Sequence, residues 1–198
     1  LLKRAELLGR IANAGTCLAV GGTHGKTTTS AMLAWMLHQH QPIQAFLGGI
    51  ATNFASNCLP GPADLSVVEA DEFDRSFLQL HPKAAVITST DADHLDIYGE
   101  ADSVVDGFRA FAGQVTGPLF AGPGCAELVG AESYGRTGDR YSYRDVQVVN
   151  GIQHFTLLVD GIEVRTQAGL PGLHNVENAV AAAAAGCCRL LLAAAGCC

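Results

Sequence analysis

The chain has 198 residues, 48% hydrophobic and 16% charged, with a formal net charge of −7. This is enough to bury a full core as one domain with at most a small appendage. The acidic balance excludes a nucleic-acid groove, which needs clustered Lys and Arg. Apolar stretches break at Gly, charge or polar residues well short of the roughly 18–20 residues a membrane span needs. No secretory leader is recognisable. A cytoplasmic protein without membrane or nucleic-acid partners is therefore expected, and the initial Leu in place of Met hints at a longer parent.

The opening LLKRAELLGRIANAGTC reads as an amphipathic helix running into a strand. Thr16–Val20 is a short apolar run ending at glycine, the pattern of a buried strand that feeds a loop. From Lys26 to His40, Met32, Leu33, Met36 and Leu37 fall at helical spacing, and Pro42 marks the end. Ala45–Leu47 suggests a strand, and Leu65–Glu69 and Ala84–Thr88 are β-branched runs of the kind buried on both faces of a parallel sheet. Helices are expected over Phe73–Leu80 and Ala101–Val115, with one more strand at Pro118–Ala121.

After about residue 135 the character changes. Arg140–Tyr143, Val146–Asn150, Gln153–Val159 and Ile162–Gln167 read as short strands, the last two joined by an Asp160-Gly161 hairpin turn. GLPGLHNVENAVAAAAAG then reads as a loop and a helix beginning near Asn175. The expectation is an α/β fold: a P-loop-type, mostly parallel sheet flanked by helices, with a small antiparallel β subdomain. In such folds the sites lie at the carboxyl ends of the strands.

Seven cysteines are present, four of them in the last twelve residues. With no secretory signal they read as reduced thiols, and the vicinal pairs of CCRLLLAAAGCC lack zinc-site spacing. That tail carries no functional signal.

GGTHGKTTTSAML, residues 21–33, has the chemistry of a phosphate cradle. Glycines at a strand-to-helix turn let backbone N–H groups approach phosphate closely, and the helix N-terminus adds partial positive charge. Lys26, one of only three lysines, would reach the β- and γ-phosphates, and the Thr27 hydroxyl would ligate Mg²⁺. Val20 stands where the usual loop has its first glycine.

Residues 64–106 hold eleven of the nineteen acids against Arg75 and Lys83, either a solvated face or a surface that a divalent cation relieves. In VVEADEFD, Glu69 closes an apolar strand and is the better metal ligand; at least two of Asp71, Glu72 and Asp74 suit a helix N-terminus. In TSTDADHLDIYG, His94 stands among Asp91, Asp93 and Asp96, which suits a second Mg²⁺ or a proton relay. In HNVEN, Asn175 and Asn178 lie three apart, which suits a purine edge or plain N-capping.

GTHGKTTTSAML, FLGGIATNF, VVEADEFDRSFLQLHPKAAVIT, DADHLDIYG and GLPGLHNVENAVAAAA together resemble the central ATP-binding domain of the Mur ligases. That family's phosphate loop lacks the distal glycine, so Val20 marks a variant loop rather than a damaged one. The resemblance implies that Gly22, Thr23, His24, Gly25, Lys26, Thr27 and Thr28 hold the ATP phosphates. It implies Thr27 and Glu69 on one Mg²⁺, with His94 helping to hold a second. His174, Asn175 and Asn178 would face adenine, and Asn53 the muramoyl substrate. Lys26, Glu69 and His94 become the expected catalytic residues.

After Lys83 the sequence has no lysine, unlike relatives that use a carbamylated lysine as a metal ligand. This fits the branch that joins L-alanine to UDP-N-acetylmuramate through an acyl phosphate. A branch that adds a murein tripeptide is the nearest alternative, and a nucleotide-binding module without ligase activity is another. Residues 1–186 are expected as the central domain: a parallel part (16–134), an antiparallel part (135–170) and an adenine-side loop and helix (171–186). Residues 187–198 form the tail. The UDP-binding and carboxyl-terminal domains of the family are expected in a longer parent.

Overall fold

The computed structural model describes residues 2–90 and 100–194. A first helix, α1 (Arg4–Ala12), precedes β1 (Thr16–Gly21) and α2 (Lys26–His38). A hairpin of β2 (Gln44–Ala51) and β3 (Ser56–Leu59) follows. Then come β4 (Leu65–Glu69), a short 3₁₀ helix (Phe73–Gln79) and β5 (Ala84–Ile87). Next are α3 (Glu100–Ala112), β6 (Leu119–Ala121), the single turn α4 (Ala126–Val129) and β7 (Glu132–Ser133). The strands β8 (Tyr141–Val149), β9 (Ile152–Val159) and β10 (Ile162–Ala168) lead to α5 (Leu173–Ala194).

The large sheet runs β3-β2-β4-β1-β5-β6-β7, parallel throughout except for β3 against β2. Alternate residues of each central strand serve opposite cores. Leu18, Val20, Val67 and Val86 face α2 and the buried alanines of α5. Cys17, Ala19, Val68, Ala85 and Ile87 face Phe77, Phe108 and Phe111, with Ala12, Ala126 and Val129 beyond. Burial on both faces is why these strands read as unbroken apolar runs. The alanine run Ala181–Ala185 is wholly buried, and its small side chains bring α5 close to α2.

The second sheet, β10-β9-β8, is antiparallel and covered on one side by Val176 and Ala179 of α5, packed against Phe155 and Ala168. The expected fold class is the one observed.

Several local expectations need correction. The two strands expected over 140–150 are one strand, β8, whose register shifts between Arg144 and Gln147; Asp145 sits there with φ +57°. An extra residue of this kind interrupts the alternation that sequence reading depends on. The helix expected near Asn175 starts at Leu173 and runs to Ala194, through part of the tail. β3, α4 and β7 were not foreseen, because four, four and two residues are too few to show a period.

Candidate functional site

β1 ends at the centre of the sheet, and residues 21–25 turn from it directly into α2. Two glycines make the turn possible. Gly22 has φ +129° and lies so close to Thr88 that a side chain would strike its hydroxyl. Gly25 has φ +80°, and a Cβ there would stand 2.5 Å from Asn178 Oδ1.

The end of β5 braces the loop from below. Thr23 N–H donates to Ser89 O at 3.0 Å, the Thr23 and Ser89 hydroxyls meet at 2.8 Å, and His24 N–H donates to Ser89 Oγ at 3.0 Å. The Thr88 hydroxyl sits against Gly21 O at 3.1 Å and against His24 O. By helix geometry the amides of Lys26, Thr27 and Thr28 have no acceptor one turn back, which leaves a row of donors at the mouth.

Lys26 is a cation at a helix N-terminus, the end where positive charge is least favoured. Its Nζ donates to Gly22 O at 2.6 Å and pairs with both Glu72 oxygens at 3.0 and 2.9 Å. Both side chains are mostly shielded, at 15% and 27% exposure, so the pair is screened less than a surface pair. Asp71 instead accepts the Phe73 amide at 3.1 Å, two residues ahead of it, where the chain enters the 3₁₀ helix. Of the acids after β4, Asp71 braces this turn and Glu72 is the counter-ion of the loop lysine.

Thr27 Oγ1 donates to Glu69 Oε1 at 3.0 Å. The other Glu69 oxygen accepts the Gly48 amide at 2.6 Å and the Ser30 hydroxyl at 3.5 Å. β2 and β1 both flank β4, so Gly48 and Thr27 approach this carboxylate from either side. A hydroxyl and a carboxylate this close are hard oxygen donors of the kind Mg²⁺ takes when most of its shell is water and phosphate. Among the described residues no three His, Cys, Asp or Glu side chains converge on one point. His94 and its neighbouring aspartates lie outside the described residues.

At the other side of α2, Asn178 Oδ1 accepts the Thr29 hydroxyl at 3.1 Å, Asn178 Nδ2 donates to Asn175 Oδ1 at 3.3 Å, and Asn175 Nδ2 donates to Pro171 O at 2.6 Å. The expected adenine residues therefore stand against the phosphate loop, mostly buried, while His174 is exposed at the helix start beside Gly172. Asn53 is exposed in the β2–β3 turn, on the hairpin that carries Gly48. Thr29, Ser30, Gly48, Glu72, Thr88 and Ser89 enter the site only through the fold. The hydroxyl run Thr88-Ser89-Thr90 at the end of a buried strand was the one signal for part of this set.

Glu177, beside Asn178, accepts the Tyr143 hydroxyl at 3.4 Å and ties β8 to α5. Partial burial and the Glu177 charge together push the Tyr143 phenol above its ordinary value.

Residues 20–121 match the family model for the Mur ligase middle domain. The chain belongs to the Mur ligase family. It is 43% identical over 189 residues to a UDP-N-acetylmuramate–L-alanine ligase of Christiangramia forsetii, covering 93% of this chain and 41% of that protein. The chain thus spans about two-fifths of the length of the curated Mur ligases it matches. Among solved Mur ligases, the UDP-N-acetylmuramate–alanine ligase of Thermotoga maritima superposes with a TM-score of 0.75 at 27% identity, over 97% of this chain and 44% of that one. A Neisseria Mur ligase that joins UDP-N-acetylmuramate to L-alanyl-γ-D-glutamyl-meso-diaminopimelate superposes with a TM-score of 0.79 at 26% identity, over 91% of this chain and 64% of that one.

Proposed function

We propose that this chain is the ATP- and Mg²⁺-binding middle part of a UDP-N-acetylmuramate–L-alanine ligase, working with amino- and carboxyl-terminal domains of a longer parent. The observation that carries the reading is the start of α2, where Lys26 pairs with Glu72 and Thr27 bonds Glu69 at the end of β4. Its similarity to alanine-adding relatives supports the substrate choice. No helix among the described residues is long and apolar enough to cross a membrane, and the cytoplasm is the proposed compartment because ATP and a nucleotide sugar meet there.

In the proposed reaction the lactyl carboxylate of UDP-N-acetylmuramate attacks the γ-phosphate of ATP, giving an acyl phosphate and ADP. The amine of L-alanine then attacks the acyl carbon through a tetrahedral intermediate and expels phosphate. The first step brings two anions together, so cationic and N–H donors lower the barrier most. Lys26 would exchange Glu72 for the β- and γ-phosphate oxygens, and the amides of residues 25–28 would hold the triphosphate in line. Thr27 and Glu69 would hold Mg²⁺, which on binding neutralises phosphate charge. His94 is proposed to help hold a second ion. His174, Asn175 and Asn178 would meet adenine, and Asn53 the muramoyl substrate.

Calorimetric titration with a nonhydrolysable ATP analogue tests the nucleotide part. Binding should need Mg²⁺, and Lys26→Ala should weaken it by roughly 10- to 100-fold, the loss expected for a charged hydrogen-bonding group. Equal binding by wild type and Lys26→Ala would reject the phosphate loop. In the full-length parent, product formed with L-alanine but not with the tripeptide separates this reading from the tripeptide ligase, which the Neisseria superposition keeps as the second candidate.

A further inference from the structure

We infer that Thr29, the last threonine of the loop's Thr27-Thr28-Thr29 run, is a positioning residue that secures base selectivity at this site by holding one end of a buried hydrogen-bond chain. The inference rests on reading the site as one for an adenine nucleotide. Thr29 is fully buried one turn into α2, so its hydroxyl serves protein rather than phosphate.

The direction of the hydrogen-bond chain follows from its far end. Pro171 O can only accept, so the Asn175 amide nitrogen must face it, and Asn175 Oδ1 then faces Asn178. That turns Asn178 Nδ2 towards Asn175 and Asn178 Oδ1 towards Thr29, whose hydroxyl must donate. The Pro171 end is itself held from β9. Gln153 is buried, and with its amide nitrogen turned to the loop it reaches Leu170 O at 2.9 Å and Gly172 O at 3.0 Å.

Each asparagine can make about four hydrogen bonds through its amide. After the bonds above, Asn175 retains one N–H and one oxygen lone pair. That pair complements adenine, which offers an amino donor at N6 and an acceptor at N7; guanine offers acceptors at both O6 and N7. Thr29 thus acts at a distance. Pro171 O sets which way the Asn175 amide faces, and Thr29 secures it from the other end, because its donated hydroxyl holds Asn178 with Nδ2 on Asn175 Oδ1 and so keeps the remaining donor and acceptor of Asn175 in place.

The test compares this chain, Thr29→Val and Thr29→Ser by calorimetry against nonhydrolysable ATP and GTP analogues and inorganic tripolyphosphate, each with Mg²⁺. Valine keeps the branched shape and removes the donor; serine keeps the donor. Thr29→Val should weaken the ATP analogue about tenfold and narrow its preference over the GTP analogue by the same factor, leaving tripolyphosphate unchanged. Thr29→Ser should restore the preference. Thr29→Ala, which removes the same donor without placing a methyl where the hydroxyl stood, should reproduce the selective loss and serves if Thr29→Val does not fold. A uniform loss for all three ligands, or an unchanged ATP-to-GTP preference, would overturn the inference and leave the phosphate site standing. A wild-type chain that binds none of the three, or all three equally, would overturn the adenine reading and the inference together.

Discussion

The two sheets use their residues in opposite ways. The seven-stranded sheet lies between helices, so every residue of β5 and nearly all of β1 and β4 are buried, and Glu69 stands with Thr27 and Ser30 at the carboxyl end of β4. The three-stranded sheet is covered on one face only. It leaves Val148, Val149, Ile162 and Val164 exposed and holds its surface with ion pairs such as Arg140–Asp160 and Arg144–Glu163. In the core strands of the first sheet buried polar residues are few, and Gln44, Ser66 and Glu69 each have a partner on another element. In the second most polar and charged residues face solvent, with Ser142, Gln153 and Thr156 as buried exceptions. The scarcity is what makes the end of β4 a site: a hydroxyl or carboxylate at the end of a buried strand must find a partner in the protein or a ligand.

If the comparison holds, the largest effect comes from cutting the aromatic cluster under the large sheet. Phe111 stacks on Phe77 at 5.1 Å between centroids, and Phe77 meets Phe108 edge-on at 5.5 Å. Phe111→Ala should cost about 3–5 kcal/mol in denaturant unfolding, because the rigid sheet cannot collapse into the cavity. Phe155→Ala should cost less, since among the described residues its cluster has only Ala168 and Val176 as buried neighbours and can relax towards the open face. Equal losses would break the contrast.

Thiol reactivity sharpens it next. Burial pushes the Cys17 thiol of β1 up to about 12, whereas Cys58 is exposed on the edge strand β3. Mapped alkylation at pH 8 should modify Cys58 within minutes and leave Cys17 and Cys125 unmodified until the chain unfolds. Rapid labelling of Cys17 would show that the central sheet opens as readily as its edge.

The smallest effect belongs to the surface of the second sheet. Two hydrogen bonds from Arg140, and then its charge, hold the Asp160 carboxyl below the usual aspartate value. The contribution is therefore complete above the unfolded aspartate pKa and is lost as pH falls through the lowered native one. Because both groups are solvent-exposed, Asp160→Asn should shift the Tm at pH 7 only slightly, less so in high salt, and not at all below the native pKa. A loss that persists in acid would mean that the turn geometry, where Asp160 has φ +51°, matters more than the charge.

Much of this was legible in contiguous residues. The phosphate loop announces itself by glycines, lysine and threonine between an apolar strand and a helix. Leu65–Glu69 matched β4, and Ala84–Thr88 matched β5 to within one residue. β8 was read as two strands because Asp145 breaks the alternation, and Glu72 was read as a helix-end acid because a lysine 46 residues away is invisible to local pattern.

By itself, then, the sequence determined the succession of the longer strands and helices and the glycine turn at residues 21–25, since periodicity and glycine φ are properties of neighbours in the chain. Only the tertiary structure decided who partners whom. The order β2-β4-β1-β5 sets strands side by side that are not consecutive in the chain. It brings Glu69 to Thr27 across 42 residues, while the packing of α5 on α2 brings Asn178 to Thr29 across 149. A buried hydrogen-bonding group takes its partner from whatever the packing places beside it, and that placement follows from the fold as a whole rather than from any stretch of it.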